Sequence, residues 1–157
     1  MTLQFQRAHL ADVETVLELV RAYYAFDGIH FEPLRVRRGL VELLTTPTLG
    51  GAWLIQEDQS VLGYFVLTFG FDLEFGGRQA TVTDFYLAAT HRRRGVGTRA
   101  LLFIEETLRE LGIGVFELQA EHDNTEALAF YEKFGMTAHA RTALSKEIPP
   151  TRQVGRE

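Results

Sequence analysis

No cysteine occurs in the 157 residues, which excludes both a disulfide framework and a thiolate metal site. No apolar run approaches the ~18 residues of a membrane-spanning helix, and no signal pattern marks the N-terminal stretch, so a soluble, cytoplasmic protein without a membrane partner is expected. Positive charge is also in deficit: 16 Lys and Arg stand against 21 Asp and Glu, for a net charge of −5. Without a basic surplus to neutralise phosphates, no nucleic-acid partner is expected. The five histidines show no ligand spacing, so no metal is expected either. Internal repeats and low-complexity segments are absent. What remains is a chain that is 46% hydrophobic and long enough to bury a core without staples. We read it as one domain over 1–148 with a polar, flexible tail over 149–157.

Hydrophobic periodicity gives the order of elements. Residues 3–9 alternate as a strand. Asp12 can cap a helix carrying Val13, Val16, Leu17, Val20 and Tyr24 at spacings of three and four, which ends near Asp27-Gly28. Pro33 opens a second helix with Leu40, Leu43 and Leu44 on its apolar side. Residues 52–56, 61–71 and 81–87 read as strands of an antiparallel meander, with Asp58-Gln59 as a hairpin turn. A helix with Leu101, Ile104, Leu108 and Leu111 at helical spacing follows, then a short strand over 115–120 and a helix over 125–134 ended by Gly135. Residues 136–143 and 144–148 read as returning strands. The fold class is α/β (α+β), with a central mixed, mostly antiparallel sheet of six or seven strands flanked by about four helices.

The run Arg92-Arg93-Arg94-Gly95-Val96-Gly97-Thr98 lies between an apolar strand and an amphipathic helix. Glycine lets a backbone approach a ligand closely, and the N–H groups of a first helical turn favour an anion, so the turn suits a pyrophosphate. Gly95 to Ala100 also fits the dinucleotide pattern Gly-x-Gly-x-x-Ala, with Glu117 about twenty residues on. That oxidoreductase reading conflicts with context, because the turn comes late, after antiparallel strands.

Three pieces line up in order: Thr83-Asp84-Phe85-Tyr86-Leu87, then Arg92-x-x-Gly95-x-Gly97, then Asn124-x-x-Ala127-x-x-Phe130-Tyr131 with Gly135-Met136 beyond. Together they resemble the GNAT superfamily of acyl-CoA-dependent N-acetyltransferases, most strongly over 82–136. The resemblance implies acetyl-CoA as co-substrate. It implies that backbone amides of Arg93, Arg94, Gly95, Val96, Gly97 and Thr98 cradle the pyrophosphate, with Arg92 and its neighbours adding charge. It further implies that the strand end at Phe85, Tyr86 and Leu87 pairs with the pantetheine arm, and that Asn124, Ala127 and Tyr131 share the helix face beside the thioester. In the implied reaction a primary amine attacks the acetyl carbonyl directly, in a ternary complex, and Tyr131 acts as general acid toward the leaving thiolate. Asp84, and after it Glu121, are the candidates for the base that a protonated amine requires, since both lie on strands expected to flank the thioester.

The acceptor is less defined. Gly63-Tyr64-Phe65 and the region 27–32 bear a faint likeness to diamine and polyamine acetyltransferases, and Phe26, Asp27, Glu32, Asp72 and Glu74 are candidates for an acceptor cleft suited to a cationic small molecule. Other readings stay open: a protein N-terminal or lysine acetyltransferase, and a non-catalytic acyl-CoA sensor. Homodimerisation through the C-terminal strands is common in the resembled family, which implies a homodimer here.

Overall fold

The computed structural model describes residues 2–151, which form two compact units dividing after Glu121. In the first, strands β1 Leu3–Arg7, β2 Gly50–Glu57, β3 Ser60–Asp72, β4 Gly77–Leu87 and β5 Phe116–Leu118 lie side by side in that order. The first four are antiparallel and β5 runs parallel to β4, so the sheet is mixed and mostly antiparallel, as expected. The β2–β3 hairpin turns on Asp58 and Gln59, at φ 48° and 71°. Two consecutive left-handed residues are what a two-residue loop needs to follow the right-handed twist of its strands.

Helices cover both faces. On one lie α1 Val13–Asp27 and α2 Pro33–Thr45, whose Val16, Leu17, Val20 and Leu40 bury against Ala52, Leu54, Tyr64 and Val66 of the sheet. On the other lies α3 Val96–Glu110, whose Phe103 stacks on Phe5 with ring centroids 4.8 Å apart and also meets Phe65. Because both faces are covered, β2 over most of its length and β3 through Leu62–Leu67 are continuously buried instead of alternating with exposed polar positions. The Asp12 side chain does not cap α1. It accepts the His9 N–H at 2.8 Å and closes the short 3-10 turn Leu10–Asp12 just before the helix.

Two irregularities in β4 shape the site. Its register against β3 shifts between Val66 and Leu67: Leu67 pairs with Val82 but Val66 pairs with Asp84, so Thr83 is an extra residue. That bulge moves Asp84 from opposite Phe65 to opposite Val66, onto the face covered by α1 and α2. The pairing of β4 with β5 also covers only Ala80, Thr81 and Val82. Beyond Val82 the pairing stops, because β5 ends at Leu118, and the end of β4 has a sheet neighbour on the β3 side alone.

Close approach of β3 to that strand end depends on Gly63, which pairs with Leu87. A methyl group there would lie 2.0 Å from the Tyr86 carbonyl oxygen. Gly63→Ala is therefore expected to destabilise the protein by about 1–3 kcal/mol, the usual cost of overpacking, read as a lower midpoint in urea without a change in slope.

The second unit contains α4 Thr125–Phe134, which follows Asn124 and ends at Gly135, φ 107°. There the Gly135 N–H donates to the Glu132 carbonyl and the Met136 N–H to the Tyr131 carbonyl, the paired closure that a left-handed C-terminal glycine permits. The strands expected over 136–143 and 144–148 do not form, so five strands stand among the described residues where six or seven were expected. Alternation is present in 136–148, but Ala138 and Ala140 supply much of its apolar side, and such small side chains bury too little area to hold a strand. Leu144 and Ile148 are exposed. The tail expected over 149–157 is without regular structure to Thr151, and its remainder lies outside the described residues.

Candidate active site

The turn before α3 combines a 3-10 turn, Ala89–His91, with left-handed backbone at Arg93 (φ 62°) and Gly95 (φ 77°). Gly95 is the N-cap residue and makes no side-chain cap, so no side-chain oxygen from that position covers the first amides of α3. That arrangement fits an anionic group. Of the expected residues, Arg93, Arg94, Gly95 and Thr98 are exposed, Gly97 is half-buried, and Val96 turns into the core.

Two of the arginine side chains have partners within the chain. Arg94 pairs with Glu57 at 3.1 Å. Arg92 donates through Nε to the Leu87 carbonyl at 2.8 Å, and its guanidinium lies 4.3 Å from the centroid of the Phe26 ring and 5.8 Å from that of Tyr86. Phe26 thus serves as a shelf for Arg92 and does not line the cavity described below. Because the Ala88 N–H donates to the Leu62 carbonyl, alternation turns the backbone groups of Tyr86 toward β3 and those of Phe85 and Leu87 toward the side where pairing with β5 has stopped. Phe85 and Leu87 are the positions from which a strand-like ligand can take hydrogen bonds; at Leu87 the carbonyl already accepts from Arg92.

Asp84 is largely buried at the base of a cavity of about 360 Å³ between the sheet and the two helices α1 and α2. Its carboxylate accepts the Tyr64 hydroxyl at 2.6 Å. Burial pushes the Asp84 carboxyl above the ordinary carboxylate range, opposed in part by hydrogen bonds from Tyr64 and Thr83. Burial, then the Asp84 charge, push the phenols of Tyr64 and Tyr24 above their usual range, so both keep their protons. Tyr23 packs edge-on against Tyr64 and tilted against Tyr86, extending an aromatic cluster around the carboxylate. Glu121, the second candidate base, is exposed beyond the end of β5.

Among the other expected acceptor residues, Glu32 lines the cavity and the rest do not. Asp27 ends α1, and the Asp72 carboxylate accepts the Glu74 N–H at 2.8 Å in the β3–β4 turn. Sequence reasoning missed Tyr64 and Tyr24 as partners of Asp84. The signal for Tyr24 was its place on the apolar face of α1; Tyr64 is brought to the carboxylate by register, which no spacing reveals. In the second unit, the Asn124 side chain accepts the Ala127 N–H at 3.1 Å and caps α4, and Tyr131 packs against Phe130 with centroids 5.3 Å apart. Among the described residues, no three His, Asp or Glu side chains gather as a metal ion requires, and no helix is long and apolar enough to cross a membrane.

No curated protein matches the sequence. Among solved structures, an integron cassette protein from the mobile metagenome of Cole Harbour Salt Marsh is 29% identical, with a TM-score of 0.81 over 94% of this chain and 92% of that one. A predicted acetyltransferase with acetyl-CoA from Clostridium acetobutylicum shares 17% identity and a TM-score of 0.77 over 92% and 96% of the two chains. An aminoglycoside acetyltransferase from an uncultured soil metagenomic sample shares 16% and 0.74 over 94% and 97%. At these two lower identities the likeness concerns the fold. The sequence model of the acetyltransferase (GNAT) family matches residues 14–136, which span the α1–α2 pair, the end of β4, the glycine turn and α4, and the chain therefore belongs to that family.

Proposed function

We propose that this protein is an N-acetyltransferase that moves an acetyl group from acetyl-CoA directly to the primary amine of a small molecule. The observation that carries the reading is the placement of Asp84: one residue past the bulge, at the start of the stretch of β4 beyond its pairing with β5, and at the base of a cavity open to solvent. Family membership supports acetyl-CoA as the donor, and the left-handed turn ahead of α3 suits its pyrophosphate. When bound, acetyl-CoA supplies an activated acyl carbonyl.

The chain's own residues have separable tasks. An amine with a reference pKa of about 10.4 arrives mostly protonated at neutral pH; Asp84, its carboxyl raised by burial, removes that proton more effectively than an exposed carboxylate would. Tyr64 donates to Asp84 and fixes its orientation. The N–H groups of Phe85 and Leu87, on the side without a sheet neighbour, are placed to hydrogen-bond an extended ligand or a developing oxyanion. To Tyr131 we assign, on the family likeness, the proton for the departing thiolate.

Release of free thiol from acetyl-CoA, measured against primary monoamines, polyamines, amino acids, aminoglycosides and N-terminal peptides, tests the reading. Amine-dependent release is expected. Tight acetyl-CoA binding by calorimetry with no release from any acceptor would favour a sensor, and absence of binding would overturn the assignment of the turn.

A further inference from the structure

The cavity above Asp84 has a wall composition that selects among amines. Apart from Tyr24, the lining between the largely buried carboxylate and the exposed residues of the mouth is aliphatic: Val20, Val36, Leu40, Leu43 and Val66 among others. Charge returns only at the mouth, where Glu32 shares the rim with His30 and Arg35. One anion therefore lies at the base, no net negative field lies at the entrance, and an apolar band separates them.

Gly39 adds a second, independent observation. It stands in the middle of α2, where glycine costs about 1 kcal/mol relative to alanine. Neither of the usual structural reasons for glycine applies: its φ is not left-handed, and a Cβ built there would meet nothing within 4 Å. Gly39 lines the cavity. Gly39 is itself exposed, as Glu32 and Arg35 are, so what its missing side chain provides is open space at the entrance to the apolar walls.

We infer that the acceptor is a primary monoamine on an apolar body, an aralkyl or branched alkyl amine, with its amine toward Asp84 and its body against the aliphatic walls, and that Gly39 keeps the entrance wide enough to admit that body. The inference rests on the acetyltransferase reading above and narrows its acceptor. A polyamine fits less well, because an ammonium part-way along it would sit against aliphatic side chains, and one that reaches the rim would share Glu32 with Arg35 and His30.

The test compares thiol release with phenethylamine, isoamylamine, methylamine, putrescine, spermidine and an N-terminal peptide, using the wild type, Gly39→Ala and Gly39→Leu. The wild type should favour phenethylamine and isoamylamine over spermidine by at least about tenfold in kcat/KM, within the range that pocket contacts deliver. Gly39→Leu should raise KM for phenethylamine by at least about tenfold, with a loss that shrinks for methylamine, while acetyl-CoA affinity is maintained. Both variants should melt at or above the wild-type temperature, since each replaces a mid-helix glycine facing open space. Turnover that favours polyamines or peptides, or Gly39 variants with an unaltered amine preference, would overturn this inference and leave the acetyltransferase reading standing. Absence of turnover with every amine would overturn both.

Discussion

Asp84→Asn is expected to lower kcat/KM for the amine by about 10² to 10⁴-fold, the range for loss of a positioned general base, and at the same time to raise the melting temperature at neutral pH. The two effects have one cause. Burial holds the Asp84 carboxyl above the ordinary carboxylate range in the folded protein, whereas the unfolded chain titrates near the reference value of about 3.9. The stability contributed by protonated Asp84 is fully present below that reference value and is lost as pH rises through the folded one. At neutral pH the ionised group therefore opposes folding, and asparagine removes the charge while its amide oxygen still accepts the Tyr64 hydroxyl. In the proposed reaction activity runs the other way, because the carboxylate is the form that takes the proton. In the wild type, kcat/KM should fall as pH drops through the raised Asp84 value, giving an acid limb above the ordinary carboxylate range that the Asn variant lacks. Thermal melts and pH–rate profiles of both proteins check this. Turnover within a few-fold of wild type in Asp84→Asn would transfer the base role to Glu121.

Tyr131→Phe is expected to cut kcat by about 10²-fold or more, as removal of a general acid does, with acetyl-CoA affinity by calorimetry unchanged. The substitution keeps the ring and its packing against Phe130, 5.3 Å away between centroids, so α4 should remain folded and the loss should reside in the hydroxyl. An acyl-CoA sensor would be indifferent to this change, since cofactor binding needs no proton for a leaving group. The pair of variants also separates the two ends of the reaction. Asp84→Asn should be partly offset by raising pH, which supplies more neutral amine. Tyr131→Phe should be offset instead by acyl donors whose thiol leaves more readily, because the proton it supplies is then less needed.

The legible part of this protein lay where local chemistry dictates local structure. Pro33 at the first position of α2, positive φ at Gly28 and Gly135, and the 3.6-residue spacing of Leu101, Ile104 and Leu108 each act within a few residues of themselves. Helix positions and the glycine turn could therefore be read directly, and with them the family. Alternation over 136–148 misled, because a period of two without enough apolar area does not stabilise a strand.

Sequence alone determined the order of elements, the mixed sheet class, the place of the glycine turn ahead of α3 and the choice of Asp84 as candidate base. Only the tertiary structure decided that Thr83 is extra, so that Asp84 faces α1 and α2 across from Val66; that Arg92 reaches back to the Leu87 carbonyl and lies on Phe26; and that Gly39 leaves a space instead of ending a helix. Each depends on strand register or on contacts between segments far apart in the chain. A one-residue change in pairing moves a side chain to the other face of a sheet without altering the sequence period that local reasoning detects.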